Sequence, residues 1–292
     1  MKAQTSFIRR PVLTRRHFFG GVVGGVSLAG GMYGWATRVE PHWLQITHHT
    51  LAIGDLPDSL QGKSLVQISD FHIGVADESY LSWAVEQVNE LSPDIVAMTG
   101  DVIDHGFQGS ADAVQRVFSR LEGGSLATLG CLGNHDYGKR WAEPDVADRV
   151  TGALGEVGMQ MLRDEHVTVE GLSVFGLNDY WTPHFNANQV LRAVDHGRGG
   201  LCLCHNPDVC DEPVWNGFRG VILAGHTHGG QCKPPFMAPP RLPIRNRRYV
   251  SGFYDVGDDR TLFVNRGVGY GFKARFNCRP EITHFTLQRS VS

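Results

Sequence analysis

The chain has 292 residues, a length that holds one large domain or two small ones. Hydrophobic residues make up 41% of it and charged residues 20%, as in folded globular proteins, which excludes a disordered, collagen-like or coiled-coil chain. The net charge of −3 predicts no stable nucleic-acid partner. Six cysteines without a CxxC pair are too few for a disulfide scaffold.

The first 36 residues have the composition of a targeting segment. They carry five basic residues and no acid, and an uncharged run of 21 residues extends from His17 to Thr37. The stretch TRRHFF at residues 14–19 resembles the twin-arginine export signal. We therefore predict a twin-arginine-type signal or membrane anchor at residues 1–36, recognised by the twin-arginine export machinery, and a folded domain at residues 37–292.

The distribution of basic residues predicts the orientation of the chain. Because lysine and arginine are retained on the cytoplasmic side, the folded domain is expected outside, exported across the cytoplasmic membrane to the periplasm or the outer face. Gly34 and Ala36 place small residues at positions −3 and −1 of a cleavage site after Ala36. Cleavage and retention as a membrane anchor both stay open, and an ordinary transmembrane anchor is the alternative to an export signal.

From residue 60 onward, short apolar runs recur, and each ends in a carboxylate, amide or imidazole. We predict strands at 65–69, 95–100, 126–133, 174–177, 201–204 and 221–225. Such apolar strands are buried on both faces and need covering layers, which amphipathic helices supply at 80–91, with Asp77 as N-cap, at 111–121 and at 146–157. A hairpin over 167–177 makes the sheets mixed. The alternation predicts an α/β fold whose active groups collect at the carboxyl ends of the strands.

Five short segments that follow these strands concentrate the chemistry. They are DFH at 70–72, GDVID at 100–104, GNHD at 133–136, HNP at 205–207 and GHTHGG at 225–230. Together they place seven oxygen and nitrogen ligands on one rim, about the number that two divalent cations need. Glycines 100, 133 and 225 are expected to let each strand turn sharply where a side chain would crowd the ligands.

The order of these motifs resembles that of the calcineurin-like metallophosphoesterase superfamily, and the resemblance extends from about Lys63 to Leu287. It implies a four-layer α/β/β/α sandwich of two mixed sheets and two divalent metal ions. By motif position, one ion is bound by Asp70, His72 and His228, the other by Asn134, His205 and His226, and Asp101 bridges both. This donor set suits Mn, Fe, Zn or Ni and does not choose among them.

Further segments, such as residues 204–208 and 266–281, resemble the exported YaeI/YkuE-type phosphodiesterases. That resemblance implies a metal-dependent phosphodiesterase domain at 37–292, in which a hydroxide bridging two cations attacks phosphorus in line. His135 is the candidate for protonating the leaving oxygen, and Asp104 the candidate for holding its ring. Asp179, Tyr180 and Trp181 line the substrate pocket or form a capped loop, whereas Cys202 and Cys204 are predicted to be packing residues.

A basic region separates Glu212 from Asp255, with six basic residues and no acid in 42 residues. Within it, Lys233–Arg248 interleaves prolines with apolar side chains. We predict that this loop lies beside the metal rim, where Arg245, Arg247 and Arg248 receive a phosphoester on an anionic or nucleotide-linked lipid at a membrane surface. A solvated structural loop is the alternative.

Two other functions stay open at this point. An enzyme resembling UDP-2,3-diacylglucosamine pyrophosphatase uses a cytosolic substrate, so it would need the domain on the inner side of the membrane. A non-catalytic binding scaffold would retain a metal site without hydrolysis. Intact Asp104, His135 and all seven candidate ligands favour an enzyme.

Overall fold

A computed structural model describes residues 25–27, 29–107, 111–192 and 199–290. The twin-arginine motif predicted at residues 14–19 lies outside these described ranges. Within them, no helix combines the length and the apolar character needed to cross a membrane. Two six-stranded sheets make up the fold.

The first sheet has the strand order β1-β12-β2-β3-β4-β5. Its strands are β1 (Gln45–Ile53), β2 (Ser64–Ile68), β3 (Ile95–Thr99), β4 (Ala127–Cys131), β5 (Gln160–Met161) and β12 (Glu281–Arg289). Strands β2 to β5 are parallel, whereas β12 runs antiparallel to β2. The carboxyl ends of β2, β3 and β4 therefore lie at the same edge.

The second sheet has the order β10-β11-β9-β8-β7-β6. Its strands are β6 (Glu165–Val169), β7 (Leu172–Gly176), β8 (Gly200–Leu203), β9 (Gly220–Ala224), β10 (Gly252–Asp255) and β11 (Arg260–Val264). The central strands are parallel, and both edges are antiparallel. The antiparallel pairing of β6 with β7 confirms the predicted hairpin.

Three helices cover the outer face of the first sheet: α1 (Glu78–Glu90), α2 (Ala111–Phe118) and α3 (Pro144–Glu156). The Asp77 carboxylate accepts a hydrogen bond from the backbone N–H of Tyr80, which confirms the predicted cap. Helix α2 ends three residues before its predicted end at 121. The Ser119 hydroxyl donates to the Arg116 carbonyl there, and such a local bond competes with helical pairing.

The outer face of the second sheet has a thinner cover, made of helix α4 (Ala187–Arg192) and long loops. Cys202 and Cys204 are buried in this layer with Trp215 and Tyr249, which confirms that they pack as small apolar residues. Burial raises the pKa of both thiols, so they stay neutral. Helices, two mixed sheets and this outer cover confirm the predicted four layers.

An aliphatic and aromatic core separates the two sheets, with Leu65 and Leu129 from the first and Leu201 and Leu223 from the second. Polar contacts such as that of Gln67 cross this core near the carboxyl ends. The buried Gln67 amide donates to Thr99 Oγ1 and to the carbonyl of Ala224, each at 3.0 Å. The strand ends of both sheets are therefore held at one common edge.

Short helical turns occupy many of the connections. They are Trp35–Val39, Glu40–His42, Asp58–Leu60, His135–Tyr137, Lys139–Trp141, Pro207–Asp211 and His228–Gly230. Two of these turns begin beside predicted metal ligands, because Asn134 precedes one and His228 starts another.

Candidate metal centre

The ends of five parallel strands bring the motif residues to one edge of the sandwich. Asp70 follows β2, Asp101 follows β3 and Asn134 follows β4; His205 follows β8, and His226 follows β9. A direct link joins the two sheets here, since the backbone N–H of His226 donates to the Asp70 carboxylate at 3.1 Å. Residues distant in sequence thus meet at the predicted rim.

The backbone turns sharply at most of these positions. Five of the seven predicted ligands have φ between 49° and 70°, in the left-handed region: Asp70, His72, Asp101, His226 and His228. Side chains other than glycine seldom adopt that region, and such strain of about 1–3 kcal/mol per residue clusters at functional sites. The fold holds these residues against their local preference, so their side chains converge.

Glycines make room for the turns. A Cβ atom on Gly133 would collide with the carboxylate and backbone of Asp101, and one on Gly225 would collide with Ser69 and Asp70. Gly100 has φ of +83° and lies against the backbone of Gly133. The crowding expected from the sequence is therefore present around the carboxylates of Asp70 and Asp101.

One group of ligand atoms comprises Asp70, His72 and His228, all buried. The Nε2 atoms of the two histidines are 2.9 Å apart, and His228 Nε2 is 3.3 Å from Asp70 Oδ1. All three candidate ligand atoms lie within 4.8 Å of one another. Such spacing lets one cation contact all of them.

A second group comprises Asp101, His205 and His226. His205 Nε2 lies 3.0 Å from Asp101 Oδ2 and 3.0 Å from His226 Nδ1. The far nitrogens face carbonyls at 2.7 Å, His205 Nδ1 toward Thr99 and His226 Nε2 toward Pro243. Because a carbonyl only accepts, those nitrogens carry the protons, which leaves His205 Nε2 and His226 Nδ1 free to bind a cation.

Asp101 lies between the two groups. Its Oδ2 atom is 3.0 Å from His205 Nε2 and 3.6 Å from His72 Nε2, which belongs to the first group. A single carboxylate thus contacts histidines of both groups. A carboxylate placed in this way could contact an ion held by either group.

The surroundings of the Asn134 side chain indicate whether the candidate ligands suit a metal ion. Its side chain is buried, and neither its amide oxygen nor its amide nitrogen has a hydrogen-bond partner within the described structure. An unpaired buried polar group costs about 1–3 kcal/mol, so such groups normally have a partner. Coordination of a metal ion by the Asn134 oxygen would supply one, and the surrounding imidazoles and carboxylates form a donor set that divalent metals prefer.

Comparison with known proteins identifies the family. The model of the family described as "Calcineurin-like phosphoesterase" matches residues 63–230, which include every predicted ligand. This chain belongs to the calcineurin-like phosphoesterase family. The match confirms the predicted superfamily, and the family generally uses divalent metals, in agreement with the donor groups of the site.

Several relatives cover nearly the whole phosphoesterase. It is 30% identical to the uncharacterized metallophosphoesterase YkuE of Bacillus subtilis, over 94% of this chain and 98% of the relative. It is 28% identical to the phosphodiesterase YaeI of Escherichia coli, over 94% and 100%. Identity to the UDP-2,3-diacylglucosamine pyrophosphatase LpxG of Chlamydia muridarum is 25%, over 85% and 90%. These similarities confirm the YaeI/YkuE branch and a phosphoester hydrolase.

Burial and neighbouring charges shift the pKa values of the ligands in the phosphoesterase centre. Burial alone would raise the pKa of Asp101, but His205 and His135 outweigh it and hold that pKa well below its usual range. Burial and the nearby His205 lower the pKa of His226 to about 3, and burial with His72 lowers that of His228. Two ligands shift the other way: burial opposes a charge on His205, but Asp101 raises its pKa well above the usual range, and burial raises the pKa of Asp70. Because metals bind anionic carboxylates and neutral imidazoles, metal binding at these two groups would release protons.

His135 and Asp104 lie beside the ligands of the phosphoesterase. His135 Nδ1 is 3.3 Å from Asp104 Oδ2, and its backbone N–H donates to Asp101 Oδ1 at 2.9 Å. Burial opposes a charge on His135, but the carboxylates of Asp101 and Asp104 raise its pKa to about 9. The structure thus places a histidine that carries a proton at neutral pH next to the site.

Sequence reasoning missed His105. Its half-exposed ring has Nδ1 3.2 Å from His135 Nδ1, and its backbone nitrogen lies 3.2 Å from the same atom. The only signal in the sequence is its place directly after Asp104, at the end of the GDVID motif.

Arg275 is a second residue whose contact with a candidate ligand, His228, the motifs did not reveal. Its guanidinium is fully buried, with Nη2 3.4 Å from His228 Nδ1, and it donates to the carbonyls of Arg266, Gly267, Gly269 and Cys278. Arg275 lies in the 266–281 segment that resembles the YaeI/YkuE type, which was its only signal. It fixes the loop that backs His228.

The basic loop at Lys233–Arg248 contacts the centre through the carbonyl of Pro243, which lies 2.7 Å from His226 Nε2. This contact is made by the backbone and not by an arginine or lysine side chain. Arg245 Nη1 donates to the Tyr180 hydroxyl at 2.9 Å, and its guanidinium lies 5.5 Å from the centre of that ring. Arg247 donates to the carbonyl of Pro239, and Arg248 to that of Asp255. These contacts hold the loop and its neighbours, while all three side chains stay exposed to solvent.

The segment after β7 has features of both predicted roles. The backbone N–H of Trp181 donates to Asp179 Oδ1 at 2.8 Å, as in a capped loop. The Trp181 ring also packs edge-on against the imidazole of His226, 4.5 Å between ring centres, and lies beside Trp141. Burial raises the pKa of Asp179 to about 6. Trp181 thus contacts a candidate ligand directly.

Proposed function

We propose that this hydrolase is a phosphodiesterase with a dinuclear centre, exported and held at the outer side of the cytoplasmic membrane. The observation that carries the proposal is the Asp101 carboxylate, which contacts histidines of both ligand groups at 3.0 and 3.6 Å. Bound divalent cations supply a nucleophile from water at neutral pH and neutralise charge on the phosphate. Mn, Fe, Zn and Ni are the ions that the donors suit.

The chain's own residues divide the work of holding the ions. Asp101 would bridge, and the other ligands would bind on either side of it: Asp70, His72 and His228 with one ion, and Asn134, His205 and His226 with the other. The carbonyls of Thr99 and Pro243 orient two imidazoles, because each fixes which ring nitrogen is protonated. The ligands are therefore positioned before substrate binds.

His135 is the proposed general acid. As the bond between phosphorus and the leaving oxygen breaks, the imidazolium gives its proton to that oxygen, and neutral His135 remains. Asp104 acts as a positioning residue, since its Oδ2 lies 3.3 Å from His135 Nδ1 and stabilises the charged ring. Neither residue is among the seven ligands proposed to hold the ions.

Two similarities point to different phosphoester substrates. YaeI carries the name phosphodiesterase, and its 28% identity over 94% of this chain favours diester hydrolysis. LpxG, 25% identical, is a UDP-2,3-diacylglucosamine pyrophosphatase and favours the pyrophosphate of a nucleotide-linked lipid as second candidate. Reporter fusions that locate the domain separate the two, because the second substrate is cytosolic and requires an inward-facing domain.

Contacts made by the two residues just before the predicted cleavage site support a retained anchor. Trp35 Nε1 donates to Glu40 Oε2 at 2.8 Å, and the carbonyl of Ala36 accepts from the backbone N–H of Arg275 at 2.8 Å. Cleavage after Ala36 would remove Trp35 from the folded domain. Intact mass of the protein isolated from membranes tests this proposal, and loss of residues 1–36 would contradict it.

The central experiment is hydrolysis of bis(p-nitrophenyl) phosphate by the purified full chain with added Mn²⁺, alongside metal analysis. We expect two ions per chain. Asp101→Ala should lower both ion content and activity, whereas His135→Ala should keep the ions and lose about 10²–10⁴-fold in rate. Asp145→Ala, a change of an exposed carboxylate on α3, is the control. Fewer than two ions together with an active Asp101→Ala variant would overturn the dinuclear proposal.

A further inference from the structure

Large apolar side chains are exposed together on one surface, built from three segments far apart in sequence. We call this the aromatic surface; its members are Trp35, Trp43, Pro235, Phe236, Met237, Phe272 and Phe276. Phe236 is fully exposed, and Met237 and Phe272 are exposed to 64% and 55%. Isolated exposed apolar residues are ordinary, but a contiguous set marks an interaction site.

Direct contacts join four members of the aromatic surface and tie the loop of Phe236 to them. Trp35, Trp43, Pro235 and Phe276 line one cleft of about 420 Å³, and the two tryptophan rings meet edge-on, 5.5 Å apart. The backbone N–H of Lys233 donates to the carbonyl of Phe276, which ties the Phe236 loop to the Phe276 segment.

The charge around the aromatic surface has one sign. The described segments 29–44, 231–237 and 266–281 contain only two acids, Glu40 and Glu281, and both are buried. The cations whose side chains are at least partly accessible are Arg38, Lys233, Arg266, Lys273 and Arg279. The Arg279 guanidinium lies 4.1 Å from the ring centre of Trp43. Tryptophan with arginine and lysine matches the headgroup layer of an anionic bilayer.

The course of the chain identifies a bilayer as the occupant. The uncharged run of residues 17–37 contains Trp35, a member of the aromatic surface, and Ala36 is bonded to Arg275 beside that surface. A run that enters a membrane just before Trp35 holds the aromatic surface at the lipid headgroups. Interfacial binding by apolar area and basic charge then adds to the anchor.

The aromatic surface also adjoins the metal centre. Arg275, whose backbone binds Ala36, has Nη2 3.4 Å from Nδ1 of the candidate ligand His228. Cys278, in the same segment as Phe276, donates from Sγ to the carbonyl of His228 at 3.1 Å. A bilayer on the aromatic surface therefore lies next to the residues that would hold the metals.

We infer that the aromatic surface rests on an anionic phospholipid bilayer and that the substrate of the metal centre is a phosphoester carried by a lipid of that bilayer. The statement on the substrate rests on the proposed hydrolase function. The statement on the bilayer stands on the surface alone, and the two are tested separately.

The first experiment locates the aromatic surface without measuring activity. The full chain is reconstituted into vesicles of phosphatidylcholine and phosphatidylglycerol with brominated acyl chains, which quench nearby tryptophan fluorescence. Trp43→Phe should remove about half of the quenched emission, since Trp35 is the other tryptophan of the surface. Trp215→Phe is the control, because Trp215 is buried in the outer cover of the second sheet. Unchanged quenching in Trp43→Phe, or an equal loss in Trp215→Phe, would overturn the bilayer assignment.

The second experiment tests the substrate. The double variant Phe236→Ser with Met237→Ser should lower hydrolysis of vesicle-borne phosphatidylglycerol or CDP-diacylglycerol about tenfold or more, while hydrolysis of soluble bis(p-nitrophenyl) phosphate stays unchanged. Leu126→Ser, at an exposed residue before β4 and thus at the opposite edge of the sheet, is the control.

Each other outcome contradicts a stated part of the inference. A wild-type protein that cleaves the soluble ester but neither vesicle lipid overturns the lipid substrate, whereas loss of all hydrolysis overturns the proposed function itself. A dimer in detergent that Phe236→Ser with Met237→Ser dissociates would show that a second copy covers the surface, which overturns the bilayer as its occupant.

Discussion

Asn134 illustrates how single residues define the centre. It is buried at the end of β4, directly beside His135, and neither of its amide atoms has a hydrogen-bond partner among the described residues. A protein of this fold would be more stable with an apolar residue there, since an unpaired buried amide costs about 1–3 kcal/mol. Binding of a metal ion by the Asn134 amide oxygen would explain why an amide occupies this position.

Replacing Asn134 with Leu separates stability from metal binding. In EDTA we expect the free energy of unfolding to rise by about 1 kcal/mol or stay level, because the unpaired amide is lost at similar volume. With Mn²⁺ the variant should gain less stability than the wild type. Denaturant unfolding in both conditions measures this, and an equal loss of stability in EDTA and in Mn²⁺ would contradict it.

Asp104→Asn tests whether the Asp104 carboxylate positions His135. The amide cannot stabilise an imidazolium as the carboxylate 3.3 Å from Nδ1 does, so the rate should fall about 10–100-fold with both ions retained. Rates with a nitrophenyl leaving group and with a poorer alkyl leaving group provide the readout. The loss should be larger for the alkyl ester, which needs the proton more. Equal losses on both esters would point to a merely structural Asp104.

At the scale of elements, the strand ends determine where the ligands lie. Each parallel strand stops in an abrupt turn, and the glycines at these turns let a carboxylate of the neighbouring strand approach the backbone. The turn after β9 shows this best, because Gly225 lies against Ser69 and Asp70 of the other sheet.

Gly225→Ala should destabilise the protein by about 1–3 kcal/mol and weaken metal binding, since the added methyl group collides with Ser69 and Asp70. Gly155→Ala is the matched control. Gly155 lies in α3 with open space where the Cβ would be, so alanine there should stabilise by about 0.5–1 kcal/mol. Thermal unfolding of both variants measures the difference, and a neutral Gly225→Ala would contradict the crowding.

The starts of β2 and β3 are joined by Asp94, which accepts hydrogen bonds from the backbone and hydroxyl of Ser64 and from Lys63. Burial opposes the charge, but these bonds lower the pKa of Asp94 to about 2. The carboxylate therefore adds stability above the unfolded pKa of about 4, and this contribution is lost as the pH falls toward 2.

Asp94→Asn should cost on the order of 1 kcal/mol at pH 7, a value reduced for solvent screening of this partly exposed group. The wild type should lose this advantage between about pH 4 and pH 2. Denaturant unfolding of both proteins in EDTA across that range measures it. A difference between them that is constant with pH would contradict the role of the charge.

At the scale of the whole molecule, the centre joins two sheets that otherwise meet through an apolar core. Asp70, Asp101 and Asn134 come from the first sheet, and three histidines come from the second. Any ion held by both sets stabilises the sandwich as a unit, because ligand binding adds to the stability of the folded form alone.

Metal titration should therefore raise the midpoint temperature of unfolding, and unfolding should stay a single cooperative transition. With the ion at about 1,000 times its dissociation constant, the gain is about 4 kcal/mol. Asp101→Ala should remove most of it, since Asp101 contacts both groups. Calorimetry with Mn²⁺ and with EDTA provides the measurement; separate transitions for two halves, or a full gain in Asp101→Ala, would contradict a shared centre.

The sequence by itself determined the main strands and helices and the polar residues that follow the strands, because each is a local pattern: an apolar run, a glycine and a polar residue. The four-layer class and the grouping of the candidate ligands followed from the order of the motifs, which resembles that of the calcineurin-like superfamily. Only the tertiary structure decided which nitrogen of each histidine faces the centre, since that depends on the carbonyls of Thr99 and Pro243. It alone brought His105 to His135 and gathered the aromatic surface from three distant segments. Contacts of this kind follow from packing between elements, which no local pattern encodes.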